Sequence, residues 1–179
     1  MSWSDRRRVL LLEMLSLKPG ERILDVGAGK GKIAELVRVA GKSEVHALDP
    51  DEKRIAFMQE NYPDLKTCLA ASESIPYPDS FFDKAYSTAA LHHFSDKGRS
   101  IREVARVLKP GGTLIILDVS PGSMTGKLMG FFENGIMRSH LEFVDAGKLS
   151  DMLRQGDLFD VVETKQESSA YFVRAIRRH

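Results

Sequence analysis

Hydrophobic positions along this chain follow two rhythms in turn: short unbroken apolar runs, and longer stretches where apolar residues recur every three or four positions. These are the signatures of buried strands and amphipathic helices. After a helix over about Arg6–Ser16, whose apolar run Val9–Leu12 is cut short by Glu13, the runs predict strands at Arg22–Val26, Glu44–Leu48, Lys66–Ala70, Asp83–Ser87 and Thr113–Val119. A helix over about Lys30–Val39 carries Ile33, Leu36, Val37 and Ala40 on one face. Another runs from Asp49-Pro50 to about Asn61, with Asp49 able to cap it and Pro50 suited to its first position. A third begins after Ser95, carries Ile101, Val104, Ala105 and Leu108 at helical spacing, and stops at Lys109-Pro110-Gly111-Gly112.

Thr113–Val119 hardly alternates, which predicts burial on both faces, as in the interior strand of a parallel sheet. Residues 120–144 are irregular. A helix over about Asp145–Gln155, with Leu149, Met152 and Leu153 inward, and strands near Phe159–Thr164 and Ala170–Ile176 close the chain. The joint Lys165–Ser169 is too short for a crossover helix, so the last two strands are antiparallel neighbours. Repeated strand–helix units with short connections predict a doubly wound α/β fold, read as one domain over residues 1–179.

Composition narrows the picture little further. With 42% hydrophobic and 28% charged residues over 179 positions, the chain is of globular type, and no apolar run reaches a membrane span. The basic start leads into an apolar run too short for a signal-peptide core, and a cytoplasmic location is expected. A net charge of +1 gives no clear nucleic-acid signal. The basic clusters Arg6, Arg7, Arg8 and Arg174, Arg177, Arg178 read as solvated termini, with a small anionic patch as the alternative. Cys68 is a single cysteine, so internal disulfides and cysteine metal clusters are excluded, and it reads as a small buried hydrophobe. Nothing in the sequence sets an oligomeric state.

The chemistry concentrates where the first strand ends, in Ile23-Leu24-Asp25-Val26-Gly27-Ala28-Gly29-Lys30-Gly31-Lys32. Glycines at alternate positions between a strand and a helix allow a sharp turn and close approach of a ligand to backbone N–H groups. A dinucleotide fingerprint of the form G-x-G-x-x-G requires glycine at 32, where Lys32 stands, so a nicotinamide oxidoreductase is disfavoured. The stretch "LDVGAGKG" instead resembles motif I of class I S-adenosylmethionine (SAM) dependent methyltransferases. Ala71 to Asp83, Leu91-His92-His93-Phe94 and Glu103 to Leu114 resemble further stretches of the methyltransferase type 11 group, in the same order. The resemblance implies a Rossmann-like seven-stranded sheet in the order 3-2-1-4-5-7-6, strand 7 antiparallel and helices on both faces. It also implies SAM as cofactor, S-adenosylhomocysteine as product, and a ligand at the carboxyl ends of the strands.

Within that resemblance, Gly27, Ala28, Gly29 and Gly31 form the loop around the methionine moiety and sugar. Asp49, followed by Pro50, accepts the ribose hydroxyls, or else only caps its helix. Asp25, with carbonyls near Ser87 and Thr88, accepts from the methionine ammonium, or else Asp25 orients the glycine loop. The family's adenine-reading acid aligns with Ala71, which leaves the base to the backbone or side chains of Ser72 and Glu73 and to packing by Ile75. His92 and His93 either act as a base on an oxygen acceptor or shape the pocket, and His93 is expected to face the transferring methyl. Metal ligation is not expected. Residues 120–144, with Met124, Met129 and Met137, either cover the acceptor as a lid, centred on 122–138, or pack as a core helix. The function that follows is methyl transfer to a small apolar or amphipathic acceptor. The alternatives are a non-catalytic SAM-binding module and a methyltransferase acting on a protein or tRNA.

Overall fold

The computed structural model describes residues 3–121, 142–167 and 169–179. The expected lid over 122–138 lies outside the described residues, as do Met124, Met129 and Met137. Helix α1 (Trp3–Leu15) precedes β1 (Arg22–Val26), α2 (Lys32–Gly41), β2 (Glu44–Asp49), α3 (Glu52–Asn61), β3 (Lys66–Leu69) and β4 (Phe82–Thr88). A single 3-10 turn at Leu91–His93 leads to α4 (Lys97–Val107), β5 (Leu108–Val119), α5 (Ala146–Arg154), β6 (Phe159–Glu167) and β7 (Ala170–Arg177).

The sheet runs β3-β2-β1-β4-β5-β7-β6. β1 pairs in parallel with β2 and β4, and β7 runs antiparallel to both β5 and β6. This is the order that the resemblance implies. Alternate residues of each strand serve opposite faces. Leu24 and Val26 join Ile101, Val104, Leu149 and Leu153 in a core under α4 and α5. Ile23 joins Leu11, Met14, Leu15, Val37 and Met58 in the core under α1, α2 and α3.

Several sequence expectations need correction. Asp49 does not cap α3. Asp51 does, accepting from the Lys53 N–H at 2.8 Å, and Pro50 therefore precedes the helix rather than opening it. In α2 the buried positions are Ala34, Val37 and Gly41, while Ala40 faces solvent, so the packed face lies one residue from the expected stripe. The breaker at Lys109 to Gly112 does not separate helix from strand. β5 starts at Leu108, which pairs with Phe82, bulges out, and resumes at Thr113 opposite Lys84. Cys68 is only partly buried, and burial raises its thiol pKa.

Most of the basic residues near the ends are held. Arg6 lies 3.6 Å from Glu167, Arg7 donates to Ser169, Arg8 lies 3.6 Å from Asp5, and Arg178 pairs with Asp157 and Asp160. Arg177 donates to Ser80. No described helix is long and apolar enough to cross a membrane.

Candidate active site

The chain leaves β1 and β4 in opposite directions across the sheet, and a cleft of about 710 Å³ opens at the carboxyl ends of the strands at that reversal. Gly27, Ala28, Gly29, Asp49, Pro50, Ala71, Ser72, Glu73, Thr88 and His93 line it. Asp25, Gly31, Ser87 and His92, also predicted from sequence, lie behind its wall.

Two glycines of the loop owe their identity to packing. A Cβ on Gly27, where φ is +80°, would come within 2.6 Å of the Ala90 Cβ, and one on Gly31 within 2.7 Å of Met58. Gly27 thus lets the loop press against the segment after β4, and Gly31 seats α2 on α3. The N–H groups of Gly27 and Ala28 both donate to the Leu48 carbonyl at 2.9 Å, tying the loop to β2.

Asp49 ends β2 with its side chain 1% exposed. Its Oδ2 accepts from the Gly29 N–H at 2.8 Å and its Oδ1 from the Asp51 N–H at 3.0 Å, with Arg54 at 3.4 Å from Oδ2. The carboxylate therefore fixes the glycine loop and also borders the cleft.

Asp25 is fully buried. Tyr86 donates its hydroxyl to Oδ2 at 2.9 Å, and Oδ1 has no hydrogen-bond partner among the described residues. Burial pushes this carboxyl up to about 7; the Tyr86 hydrogen bond pulls against that rise and the charge of Asp49 adds to it. The bonds of Asp25 do not reach the glycine loop, so orienting that loop falls to Asp49 and to Leu48.

At the end of the cleft lined by Ala71, Ser72 is buried and meets the Ser100 hydroxyl at 2.9 Å. Glu73 accepts from the Asp96 N–H at 3.0 Å and from Ser72 at 3.1 Å. Burial opposes its charge, yet those donors outweigh it and hold the carboxyl below its ordinary range. Both side chains brace the cleft wall, and Ile75 is buried in the core. The small Ala71 is exposed on the cleft wall beside them.

The two histidines divide. His93 is exposed on the cleft wall, whereas His92 is 2% exposed. The His92 Nδ1 lies 2.6 Å from Asp118 Oδ1, its N–H donates to Asp118 Oδ2 at 3.0 Å, and its ring stacks on Phe143. Its Nε2 is buried without a partner among the described residues. Ser87 turns its hydroxyl to the Val26 carbonyl, away from the cleft. No group of residues suited to a metal ion occurs among the described residues.

Sequence reasoning missed Asp118, Arg54, Ala89 and Phe94. A lone carboxylate near the carboxyl end of an otherwise apolar buried strand was the available signal for Asp118. The sequence carries no such signal for Ala89, held at φ +50° on the cleft wall.

The residues present fit a cationic nucleoside such as SAM. A buried acidic oxygen without a partner among the described residues stands behind the cleft, a second carboxylate borders it, and a glycine loop leaves room for close approach. Comparison with known proteins agrees. The profile of the methyltransferase domain family matches residues 24–116, more than half of the chain. The 27-O-demethylrifamycin SV methyltransferase of Amycolatopsis mediterranei is 34% identical over 114 residues, covering 60% of this chain and 42% of that protein. The demethylmenaquinone methyltransferase of Thermotoga maritima is 33% identical over 131 residues, covering 71% and 56%. The chain thus spans about half the length of these curated relatives. A SAM-dependent methyltransferase from Aquifex aeolicus superposes with a TM-score of 0.79 at 20% identity, over 95% of this chain and 89% of the other. Together with the sheet order and the glycine loop, these matches show that the chain belongs to the class I SAM-dependent methyltransferases, in the methyltransferase domain family of type 11.

Proposed function

We infer that this chain transfers a methyl group from SAM to a small apolar or amphipathic molecule. The observation that carries the reading is the pair Asp49 and Asp25 about the glycine loop, one bordering the cleft with its carboxylate and the other holding a buried oxygen without a partner among the described residues. The relatives named for rifamycin and menaquinone precursors act on small molecules, which supports the acceptor class.

When bound, SAM supplies an electrophilic methyl on a sulfonium that needs no activation by the protein. Asp49 accepts from the ribose hydroxyls, and Asp25, with carbonyls near Thr88, accepts from the methionine ammonium. Gly27, Ala28 and Gly29 set the floor, while Ala71 and the backbone of Ser72 meet the adenine edge. These residues align methyl and acceptor and keep water out, which is most of the catalysis that such a displacement requires.

A hydroxyl acceptor must also lose a proton. His93, exposed on the cleft wall, is placed to take it. The buried His92, its Nδ1 held by Asp118, packs beside it with ring centroids 4.2 Å apart. The test is transfer of labelled methyl from SAM to small hydroxylated aromatic acceptors. Label in the small-molecule acceptor supports the reading. SAM affinity without turnover on any acceptor would favour the binding-module alternative, and label confined to protein or tRNA the macromolecular one.

A further inference from the structure

At the opposite end of the sheet from the cleft, a polar cavity of about 340 Å³ opens beneath the end of α1, between Glu21, Lys84, Thr113 and Arg174. Lys84 and Thr113 are in register on β4 and β5, and Arg174 stands on β7 opposite Ile115. Alternation places all three side chains on the α1 face.

The charges do not cancel. Lys84 is committed to Glu21 through two contacts of 2.8 and 2.6 Å, and Lys109 to Asp83. Lys18 and Arg174 also line the cavity and make no ion pair among the described residues. The Arg174 Nε is buried without a hydrogen-bond partner among the described residues, and its cross-strand neighbour Glu163 is turned to Lys165. A buried guanidinium N–H left unpaired is costly, and native proteins seldom keep one without a ligand or water to meet it. The guanidinium fork matches the paired oxygens of a carboxylate or phosphate.

We propose that this cavity is a second binding site, for the oxyanion group of a small metabolite, held by Arg174 with Lys18 and the Thr113 hydroxyl. Its volume admits a compact phosphorylated or carboxylated molecule, and Glu21 and Asp83 at its edges oppose a polyanionic strand. It is separate from the SAM cleft and stands whether or not the methyl-transfer reading holds.

Inorganic phosphate and citrate are titrated separately into the isotope-labelled full chain, following the Arg174 Nε–H and the Gly112 and Thr113 amides, with sodium chloride at matched ionic strength as control. Saturable shifts for either anion, absent with chloride, are expected; stronger binding of phosphate indicates a phosphorylated ligand, and of citrate a carboxylated one. Arg174→Gln is expected to weaken the binding about tenfold or more. Lys18→Gln, at an exposed position that does not endanger the fold, is expected to weaken it about two- to fivefold. Shifts that grow linearly, that chloride reproduces, or that Lys18→Gln leaves unchanged overturn the proposal.

Discussion

The Nδ1 of His92 and the Oδ1 of Asp118 lie 2.6 Å apart in a buried contact that joins the turn after β4 to the end of β5. A second bond, from the His92 backbone N–H to the other carboxylate oxygen, holds the turn that places the neighbouring His93 on the cleft wall. His93→Asn is expected to lower kcat for a hydroxyl acceptor by roughly 10²- to 10⁴-fold, the usual contribution of a positioned base. SAM affinity, measured by calorimetry, should stay nearly constant. Equal losses in affinity and turnover would assign His93 to shaping the pocket.

Asp49 fixes the glycine loop, and under the proposed function it also accepts from the SAM ribose. Asp49→Ala should reduce SAM affinity by about 1.5 to 3 kcal/mol, roughly tenfold to a hundredfold. Asp49→Asn keeps an acceptor for the Gly29 N–H and should lose less. Unchanged affinity in Asp49→Ala would remove this carboxylate from the site.

Asp25 gives the site its pH dependence. Its folded pKa of about 7 stands above an ordinary value of 3.8, so the folded chain holds a proton that the unfolded chain releases. The stability this group contributes is complete below about pH 4 and is lost as pH rises through 7. Asp25→Asn should therefore stabilise the unliganded protein increasingly between pH 4 and 7, by a few kcal/mol at most, in denaturant titrations at each pH. A ligand ammonium favours the charged carboxylate, so SAM should bind more tightly as pH rises toward 7, with proton release detectable by calorimetry in buffers of different ionisation enthalpy. A flat pH profile for both would contradict this role.

Ala71 stands where the family's acid would read adenine. Because Ser72 and Glu73 are bound to Ser100 and Asp96, Ala71→Asp introduces an acceptor at that edge without disturbing them. It should tighten SAM binding by roughly 0.5 to 3 kcal/mol or sharpen preference over the inosine analogue. Weaker binding in a folded variant would show that position 71 does not meet the base.

How much of this was legible in the sequence follows from how local each feature is. Strands and helices are written in periodicity, and the glycine loop in spacing, so the sheet and most cleft-lining positions could be read. The cap of α3 went to Asp51 because Asp49 is consumed by Gly29, a contact across 20 residues. The face of α2 was shifted because Gly41, beyond the helix end expected near Val39, is buried beside Leu17 and Ser43. The partnership of His92 with Asp118 spans 26 residues and two strands, and the unpaired Arg174 differs from its bonded neighbours Arg177 and Arg178 only through the strand it stands on. Spacing along a chain holds none of these.

Calorimetric titration with SAM, S-adenosylhomocysteine and NAD tests the central claim most directly, since all three carry an adenosine whose ribose the Asp49 carboxylate could serve. Saturable 1:1 binding of SAM and S-adenosylhomocysteine, with no heat of binding for NAD, is the expected result. Binding of NAD in preference to SAM, or failure of both SAM and its product to bind a folded protein, would contradict the account.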